Sequence, residues 1–310
     1  MEKIKVILDC DPGHDDAVAV LMAGKHPAIE LLGITVVAGN QSLPKTVTNA
    51  LNVCQHVGID VPVYAGSTRP LVQQPRYAGF IHGTSGLDGP QFEPLTKKAE
   101  ATHAVNFIIK TLLNSEGDIT LVPTGPLTNI ALAMRLEPRI IPKIKQIVLM
   151  GGSVGQGNVT PAAEFNILAD GEAAKIVFEC GRPIVMCGLD VTRKVRCYQE
   201  VIDRMNQIGN KASYLFKEMM EFYNKTQKEA FKWEGGPLHD PVTIAYLIDP
   251  SVLTLQHCHV DVEIRSDQSY GRTNCDLVGF LKKEENAYVA TDIDVDKFWD
   301  IIEECLKLYN

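Results

Sequence analysis

Short apolar runs alternate with amphipathic stretches along most of this chain. The runs that predict strands are 4–8, 29–37, 61–64, 119–122, 147–150, 184–187, 260–264 and 288–291. The stretches that predict helices are 15–25, 44–57, 101–114, 127–135, 171–179 and 295–308, with a mainly helical region from 199 to 248. Strands that alternate with helices of this length indicate an α/β fold, with a mostly parallel central sheet flanked by helices.

Three irregular segments interrupt this alternation, at 66–100, 151–169 and 225–238. They are too long to be plain connections between elements, so we expect them to form the walls of a binding site. The chain shows no repeat, linker or low-complexity tract. We therefore predict a single domain over residues 1–310.

The composition excludes several classes of protein. The 310 residues are 45% hydrophobic and 22% charged, with a net charge of −8 and scattered Lys and Arg, which argues against a nucleic-acid partner. No apolar run approaches the roughly 18 residues needed to span a membrane, and the N-terminus lacks the pattern of a signal peptide. The eight cysteines are dispersed and never form Cys-x-x-Cys. We expect reduced thiols and a cytoplasmic location.

The first strand leads into four carboxylates within eight residues, those of Asp9, Asp11, Asp15 and Asp16. Like charges this close repel each other, and a bound cation offsets that repulsion best. They follow a strand, and open α/β sheets bind ligands at the carboxyl ends of their strands. The simpler alternative is that Asp15 caps a helix and the other carboxylates are solvated. Oxygen ligands without Cys or clustered His favour Ca²⁺ or Mg²⁺.

Other polar residues stand where a predicted strand ends or a helix begins. They are Asn40, Glu164, Asn166, His239 and Asp240. Each has an ordinary explanation: Asn40 would end a strand, Glu164 and Asn166 would be solvated, and Asp240 would be the N-cap of the next helix. His239 would then be an ordinary loop histidine.

Several common chemistries do not fit. The segment 152–157 is rich in Gly but lacks the Gly-x-Gly-x-x-Gly order of dinucleotide sites. The segment 82–86 is not the Gly-x-Ser-x-Gly of serine hydrolases. Nothing in the chain has the spacing of a zinc site.

Seven segments, in order along nearly the whole chain, resemble the motifs of the inosine–uridine-preferring nucleoside hydrolase family. They are 9–16, 38–41, 81–83, 122–129, 150–152, 163–166 and 239–241. In detail the chain resembles the bacterial pyrimidine-preferring members. The resemblance implies a Rossmann-like nucleoside hydrolase fold with the active site at the carboxyl ends of the strands. It also implies a homo-oligomer, commonly a homotetramer or a dimer.

The resemblance further implies a Ca²⁺ ion at the bottom of a ribose pocket. The metal ligands that match the family are Asp11, Asp16, the backbone carbonyl of Thr124, and Asp240. The matching residues that would bind the sugar are Asp15, Asn40, Asn158, Glu164, Phe165 and Asn166. No residue at these positions departs from the family pattern.

The implied reaction is Ca²⁺-dependent hydrolysis of the N-glycosidic bond of ribonucleosides, giving free base and ribose. Asp11 would accept a proton from the attacking water, which the cation orients. The leaving base gains negative charge, and His82 or His239 would stabilise or protonate it. The residues alone do not say which histidine acts.

The resemblance favours pyrimidine nucleosides, uridine and cytidine, over purine nucleosides. Gln227 would hydrogen-bond to the edge of the base, and Phe231 with Trp233 would cover its faces. Pyrimidine-preferring relatives often carry Tyr at the position of Phe231, so one hydroxyl contact is missing here. The alternative is that Phe231 and Trp233 form the apolar face of a helix end.

Other functions remain open from the residues alone. A purine-preferring or broad nucleoside hydrolase would share most of these motifs. A Mg²⁺-dependent phosphohydrolase of the haloacid dehalogenase type also begins with a strand and Asp-x-Asp, although it lacks the Pro12-Gly13 that follows here. A nucleoside-binding module would need the sugar contacts but not Asp11.

Overall fold

The protein folds around a nine-stranded sheet in the computed structural model, which describes residues 3–309. The strands are β1 (Ile4–Cys10), β2 (Ile29–Val36), β3 (Val63–Ala65), β4 (Ile119–Pro123), β5 (Ile144–Met150), β6 (Ile184–Cys187), β7 (Arg196–Cys197), β8 (Gly236–Pro237), β9 (Leu253–Val262), β10 (Thr273–Asp276) and β11 (Ala287–Ile293). The helices are α1 (His14–Lys25), α2 (Leu43–Val57), α3 (Gly79–His82), α4 (Ala104–Leu113), α5 (Thr128–Leu136), α6 (Phe165–Ala169), α7 (Gly171–Phe178), α8 (Leu189–Thr192), α9 (Gln199–Asn206), α10 (Lys211–Phe231), α11 (Pro241–Ile248) and α12 (Val295–Lys307). Two short 3-10 helices, Pro138–Lys143 and Pro250–Val252, complete the described elements.

Strand β1 lies inside the sheet, whose order is β10-β9-β11-β6-β5-β4-β1-β2-β3. From β11 to β3 each strand pairs in parallel with the next. Only β9 runs antiparallel to its neighbours within this described sheet. Strands β7 and β8 form a separate antiparallel pair. The prediction of an α/β fold with a mostly parallel central sheet flanked by helices is confirmed.

Apolar side chains cover both faces of β1. Val6 and Leu8 belong to one buried apolar cluster, whereas Ile7 belongs to a second. The first cluster includes side chains of α1, α2, α10, α11 and α12, and the second includes those of α4, α5 and α7. A strand that is buried on both faces has a continuous apolar sequence rather than an alternating one, which explains the run at the start of the chain.

The parallel arrangement brings polar segments from distant parts of the chain together. Strands β1, β2, β4 and β5 end at Cys10, Val36, Pro123 and Met150, and they occupy adjacent places in the order β5-β4-β1-β2. The carboxyl ends of parallel strands lie at the same edge of a sheet. The polar residues that follow each of these strands therefore meet at that edge.

Helix α10 is longer than the sequence predicts. It continues to Phe231, so the prediction of an irregular segment over 225–238 is wrong for its first part. Lys232, with a left-handed φ of 60°, ends the helix. The stretch before it consists mostly of good helix formers, whose polarity resembles that of a loop. Gln227 and Phe231 consequently lie one turn apart on a helix and not in a loop.

Smaller differences concern the late strands and the irregular segments. Strand β9 begins at Leu253, earlier than the predicted start at residue 260. Strand β10 was not predicted, because its Thr-Asn-Cys-Asp sequence is polar, as suits the edge of a sheet. The irregular segments 66–100 and 151–169 each contain a short helix, α3 and α6. Among residues 3–309, no helix combines the length and the apolar character needed to cross a membrane.

Candidate active site

A cavity of about 410 Å³ opens at the carboxyl edge of the sheet. The sequence-predicted residues that line it are Asp15, Asn40, His82, Thr124, Asn158, Glu164, Phe165, Asn166, Gln227, Phe231, His239 and Asp240. The other two predicted residues, Asp11 and Asp16, do not line the cavity and are fully buried. The fold thus brings side chains selected from motifs in both halves of the chain together around one cavity.

Three buried carboxylates converge at the side of this cavity, and two of them, Asp15 and Asp240, line it. Asp15, Asp16 and Asp240 each place an oxygen atom within 4.8 Å of the others. Asp11 is not part of this group of three, although its charge raises the pKa of Asp240. Asp240 stands at the N-cap position of α11, but its side chain makes no capping hydrogen bond. The alternative explanation, a simple helix cap, therefore does not describe this side chain.

The Asp11 carboxylate is held by the neighbouring backbone. Its Oδ2 accepts the backbone N–H of Asn40 at 2.6 Å, whereas its buried Oδ1 has no hydrogen-bond partner among the described residues. Gly39 and Gly125 pack against the two oxygen atoms so closely that a Cβ at either position would overlap them. One carboxylate oxygen is thus fixed and the other is left for a ligand.

Asp16 is held even more firmly. Its Oδ2 accepts the backbone N–H of Gly13 at 3.0 Å and the side-chain amide of Asn40 at 3.1 Å. Its Oδ1 accepts the hydroxyl of Thr124 at 2.9 Å and the backbone N–H of Asp11 at 3.3 Å. These donors come from three different strand ends, so they fix the carboxylate where the strand ends meet.

Burial and mutual repulsion make this cluster hard to ionise. Burial, followed by the charge of Asp16, raises the pKa of Asp15 to about 7. The pKa values of Asp11 and Asp240 lie well above the usual range, first because of burial and then because of neighbouring carboxylates. Burial also raises the pKa of Asp16. A cation would offset this repulsion.

The donor set fits a hard cation. The buried Oδ1 atoms of Asp11 and Asp15 lack partners among the described residues. The carbonyl oxygen of Thr124 accepts one hydrogen bond at 2.7 Å from the Asn166 amide, which leaves a second lone pair. Carboxylate and carbonyl oxygens are the ligands that Ca²⁺ prefers, so the chemistry of the residues agrees with the ion implied by the resemblance.

Asp9 lies outside the cluster. Its Oδ1 accepts the Thr35 hydroxyl at 2.6 Å and the Asn129 amide at 2.8 Å. Burial raises its pKa to about 7, whereas these two hydrogen bonds lower it. Of the four acids in this segment, Asp9 is therefore bonded away from the others, whereas the charges of Asp11, Asp15 and Asp16 act on one another.

The segment after β5 forms a polar wall of the cavity. Glu164 caps α6: its two oxygen atoms accept the backbone N–H groups of Gly152, Asn166 and Ile167 at 2.9–3.2 Å. The Oδ1 of Asn158 accepts the Phe165 N–H at 2.9 Å. Glu164 is 2% exposed, so it is not the solvated loop residue of the simpler explanation.

Two histidines face the cavity, His82 buried and His239 half-buried, and both are neutral near pH 7. Burial lowers the pKa of His239 to about 3, and burial with nearby histidines lowers the pKa of His82 well below its usual value. The Nδ1 of His239 lies 2.7 Å from the Thr192 hydroxyl. The Nδ1 of His82 is engaged by His14.

Another wall of the cavity consists of aromatic side chains and one side-chain amide. Gln227 is buried and its Oε1 has no partner among the described residues. Phe231 and Trp233 lie with their ring centroids 5.2 Å apart, and the guanidinium of Arg196 covers the Trp233 ring at 4.3 Å. An unpaired buried carbonyl beside aromatic faces suits a flat ligand with an N–H group at its edge.

Two polar residues of the cavity, Arg193 and Tyr223, lie outside the motifs and irregular segments that the sequence indicated. Arg193 lines it and donates to the carbonyl oxygens of Gln156 at 2.9 Å and Gly157 at 2.6 Å, closing the glycine-rich segment over the site. Tyr223 also lines it, one helical turn before Gln227. The four-residue spacing from Gln227 on a helix would have indicated Tyr223, had the helix been recognised.

Comparison with known proteins gives the same family as the sequence motifs. Residues 6–300 match the family model described as inosine-uridine preferring nucleoside hydrolase. The chain is 57% identical over 309 residues to the pyrimidine-specific ribonucleoside hydrolase RihB of Escherichia coli, covering 100% of this chain and 99% of that protein. The chain therefore belongs to the inosine-uridine preferring nucleoside hydrolase family of enzymes.

Solved structures of relatives share the fold. A plant nucleoside hydrolase superposes with a TM-score of 0.92 at 32% identity over 98% of both chains. A purine-preferring ribonucleoside hydrolase from Gardnerella vaginalis superposes with a TM-score of 0.90 at 34% identity, covering 98% of this chain and 99% of that chain. The nucleoside hydrolase fold implied by the sequence is confirmed.

Proposed function

We propose that this protein is a Ca²⁺-dependent hydrolase that cleaves the N-glycosidic bond of ribonucleosides and prefers uridine and cytidine. The observation that carries the proposal is the convergence of Asp15, Asp16 and Asp240 within 4.8 Å at a cavity of about 410 Å³. Polar groups form one wall of this cavity, and aromatic side chains with one amide form another. A nucleoside would place its ribose against the polar wall and its base against the aromatic wall.

The cation would be held by the carboxylates of Asp11, Asp16 and Asp240 and by the carbonyl oxygen of Thr124. When bound, it supplies positive charge that favours deprotonation of a nearby water and attracts the ribose hydroxyls. The unpartnered Oδ1 of Asp11 supports this assignment.

Asp11 is suited to accept the proton of the attacking water. Its Oδ2 is fixed by Asn40, so Oδ1 is the atom that can take the proton. Burial and then the nearby charge of Asp16 raise the pKa of Asp11 above its usual range. Positive charge beside it would lower this pKa, and the net basicity is set by the balance of the two effects.

The polar wall would hold the sugar. Asp15 and Asn166 are placed to bind the ribose ring hydroxyls, and Asn158, Glu164 and Phe165 to enclose its 5′ end. Because Glu164 is held by three backbone N–H groups, its position does not depend on the substrate. A preorganised wall of this kind can favour the flattened, positively charged sugar of the transition state.

The two histidines would act on the departing base. Bond cleavage leaves negative charge on the base, and a neutral imidazole can donate a hydrogen bond or a proton to it. In both His82 and His239 the Nδ1 atom is already engaged, so Nε2 is the nitrogen left for the base.

The pyrimidine preference rests on two observations. The first is the 57% identity to a curated pyrimidine-specific relative, against 34% to a solved purine-preferring one. The second is the unpaired Oε1 of Gln227, which can accept the ring N–H of uracil. Purine preference or broad specificity is the alternative, because hypoxanthine also carries a ring N–H.

We further propose a homo-oligomer, commonly a tetramer in this family, and a cytoplasmic location. The eight cysteines are unpaired, as suits a reducing compartment. The oligomer is carried by the family resemblance alone. Size-exclusion chromatography with light scattering tests it directly.

The deciding experiment is a panel of uridine, cytidine, inosine and uridine monophosphate, assayed for free base and reducing sugar with and without a calcium chelator. We expect kcat/KM for uridine to exceed that for inosine, and activity to disappear with the chelator. A uridine-to-inosine ratio at or below one would overturn the pyrimidine preference but keep the hydrolase. Phosphate release without free base would overturn the hydrolase itself.

A further inference from the structure

His14 lies within the first acidic segment and has no role in the reaction proposed above, yet it is fully buried against the pocket histidine His82. The backbone N–H of His14 donates to Nδ1 of His82 at 3.2 Å, and the Nδ1 of His14 lies 3.1 Å from the same atom. The two rings also stack, with their centroids 5.3 Å apart. Three contacts from one residue thus fall on the His82 ring.

We propose that His14 is a positioning residue that fixes the ring of His82 so that its Nε2 faces the nucleobase. The backbone N–H of His14 donates to the Nδ1 of His82, so this nitrogen accepts and the hydrogen of the neutral His82 ring lies on Nε2. Within residues 3–309 no hydrogen bond reaches the Nε2 of His82, and this ring lines the cavity. The inference rests on the proposed function, since His82 meets a base only if nucleosides bind there.

His14 is itself anchored, as a positioning residue must be. Its Nε2 lies 2.9 Å from the carbonyl oxygen of Asp88, and because a carbonyl only accepts, that nitrogen carries a hydrogen. This polar contact to Asp88 sets the rotation of the ring, whereas the rings of Phe222 and Tyr223 only pack on its faces, at 5.4 and 5.5 Å. The backbone N–H of Asp88 donates to the carbonyl of His82 at 3.2 Å, so His14, Asp88 and His82 each contact the other two.

Gly13 supplies an independent observation. A Cβ at this position would lie 2.6 Å from the Nδ1 of His82, closer than real side chains approach. The His82 ring therefore packs directly on the backbone of the turn that also presents Asp11 and Asp16. The same turn that orders the acid cluster thus orders the ring on the base side of the pocket.

The test compares three variants in the full-length protein loaded with calcium. His14→Phe keeps the backbone N–H and a stacked ring but removes both ring nitrogen atoms, including the Nε2 that anchors the ring on Asp88. His14→Asn keeps a polar atom near the Nδ1 position but loses the contact to Asp88. Phe222→Leu is the matched control, because it removes a ring stacked on His14 without touching the nitrogen contacts. Calcium content and thermal melting show that each variant is folded and loaded.

For uridine we expect kcat to fall roughly tenfold in His14→Phe, with KM changed less, because misplaced groups cost rate more than binding. His14→Asn should recover part of the loss, and Phe222→Leu should stay within about twofold of the unmodified protein. In a His82→Ala background, His14→Phe should cost almost nothing further, since it acts through that ring. Additive losses, or an equal loss in Phe222→Leu, would mean that packing alone matters and would overturn the proposal.

A crystal structure of His14→Phe tests the positioning role independently of enzyme activity. We expect the His82 ring to turn or to occupy two orientations. An unmoved ring in this variant would contradict the positioning role, even if the protein cleaved no nucleoside. Absence of base release by the unmodified protein would instead count against the proposed function.

Discussion

The hydroxyl of Thr192 lies 2.7 Å from the Nδ1 of His239. Thr192 is fully buried at the end of α8, and α8 follows β6. The contact therefore links His239, which precedes α11, to the segment that follows β6. It leaves Nε2 as the nitrogen that His239 can direct into the cavity.

Thr192→Val keeps the shape of the side chain and removes its hydroxyl. We expect kcat for uridine to fall roughly tenfold, the rate equivalent of a hydrogen bond worth about 1.4 kcal/mol. Thr192→Ser keeps the hydroxyl and should retain most of the activity. Steady-state kinetics on both variants checks this, and an equally active Thr192→Val would mean that His239 needs no such orientation.

Asp11→Asn separates proton transfer from binding. The amide still offers one oxygen to the N–H of Asn40 but cannot accept a proton, so we expect kcat to fall roughly a hundredfold or more. Affinity for ribose, measured by calorimetry, should change less. Asp9→Asn is the matched control in the same segment: its carboxyl is bonded to Thr35 and Asn129, outside the cluster, and kcat should stay within about threefold. Near-normal turnover in Asp11→Asn would show that Asp11 is not the base.

Asp240→Ala should release the cation. It deletes one of three carboxylates that converge within 4.8 Å, leaving fewer ligands to hold a divalent ion. Elemental analysis of the dialysed variant should show substoichiometric calcium, and added calcium should raise its melting temperature less than that of the unmodified protein. Asp267→Ala, which removes an exposed carboxylate, should keep full calcium content.

Removing the cation should make stability depend on pH. Without a bound ion the pKa values of the clustered carboxylates are raised, that of Asp15 to about 7. Between about pH 4 and pH 7 the folded protein then holds more protons than the unfolded chain, so the free energy of unfolding falls as pH rises through this range. Melting with chelator or calcium at pH 5 and pH 8 tests this. The gain from calcium should be larger at pH 8, and equal gains would contradict the raised pKa values.

The acid cluster and the polar wall of the cavity could be located largely from the sequence, because most of their residues follow a recognisable strand or precede a helix. Thr124 comes directly after β4 and Asn40 shortly after β2, two strands that their apolar character identifies, and the carboxyl ends of parallel strands lie at the same edge of the sheet. Glu164 lies well beyond the end of β5 and directly before α6, so its place was indicated only by the matched motif. The matched motifs then assigned individual roles that the pattern alone leaves open.

The aromatic wall of the cavity was less accessible from the sequence. Gln227 and Phe231 were placed in a loop, because a polar helix at a cavity mouth has the composition of a loop. Arg193 contacts the carbonyls of Gln156 and Gly157 through folding of the chain, and no local spacing indicates that contact. Contacts between distant segments depend on tertiary packing, which a single sequence does not show.

The glycines that flank Asp11 restrict which mutations this site can tolerate. Gly39 and Gly125 carry no reactive group, yet any side chain at either position would overlap the Asp11 carboxylate. In a random mutagenesis library, substitutions at these two positions should be as rare among active clones as substitutions of Asp11 itself. Loss of activity at a position is thus no sign of a chemical role here, and a library meant to alter specificity should leave both codons unchanged.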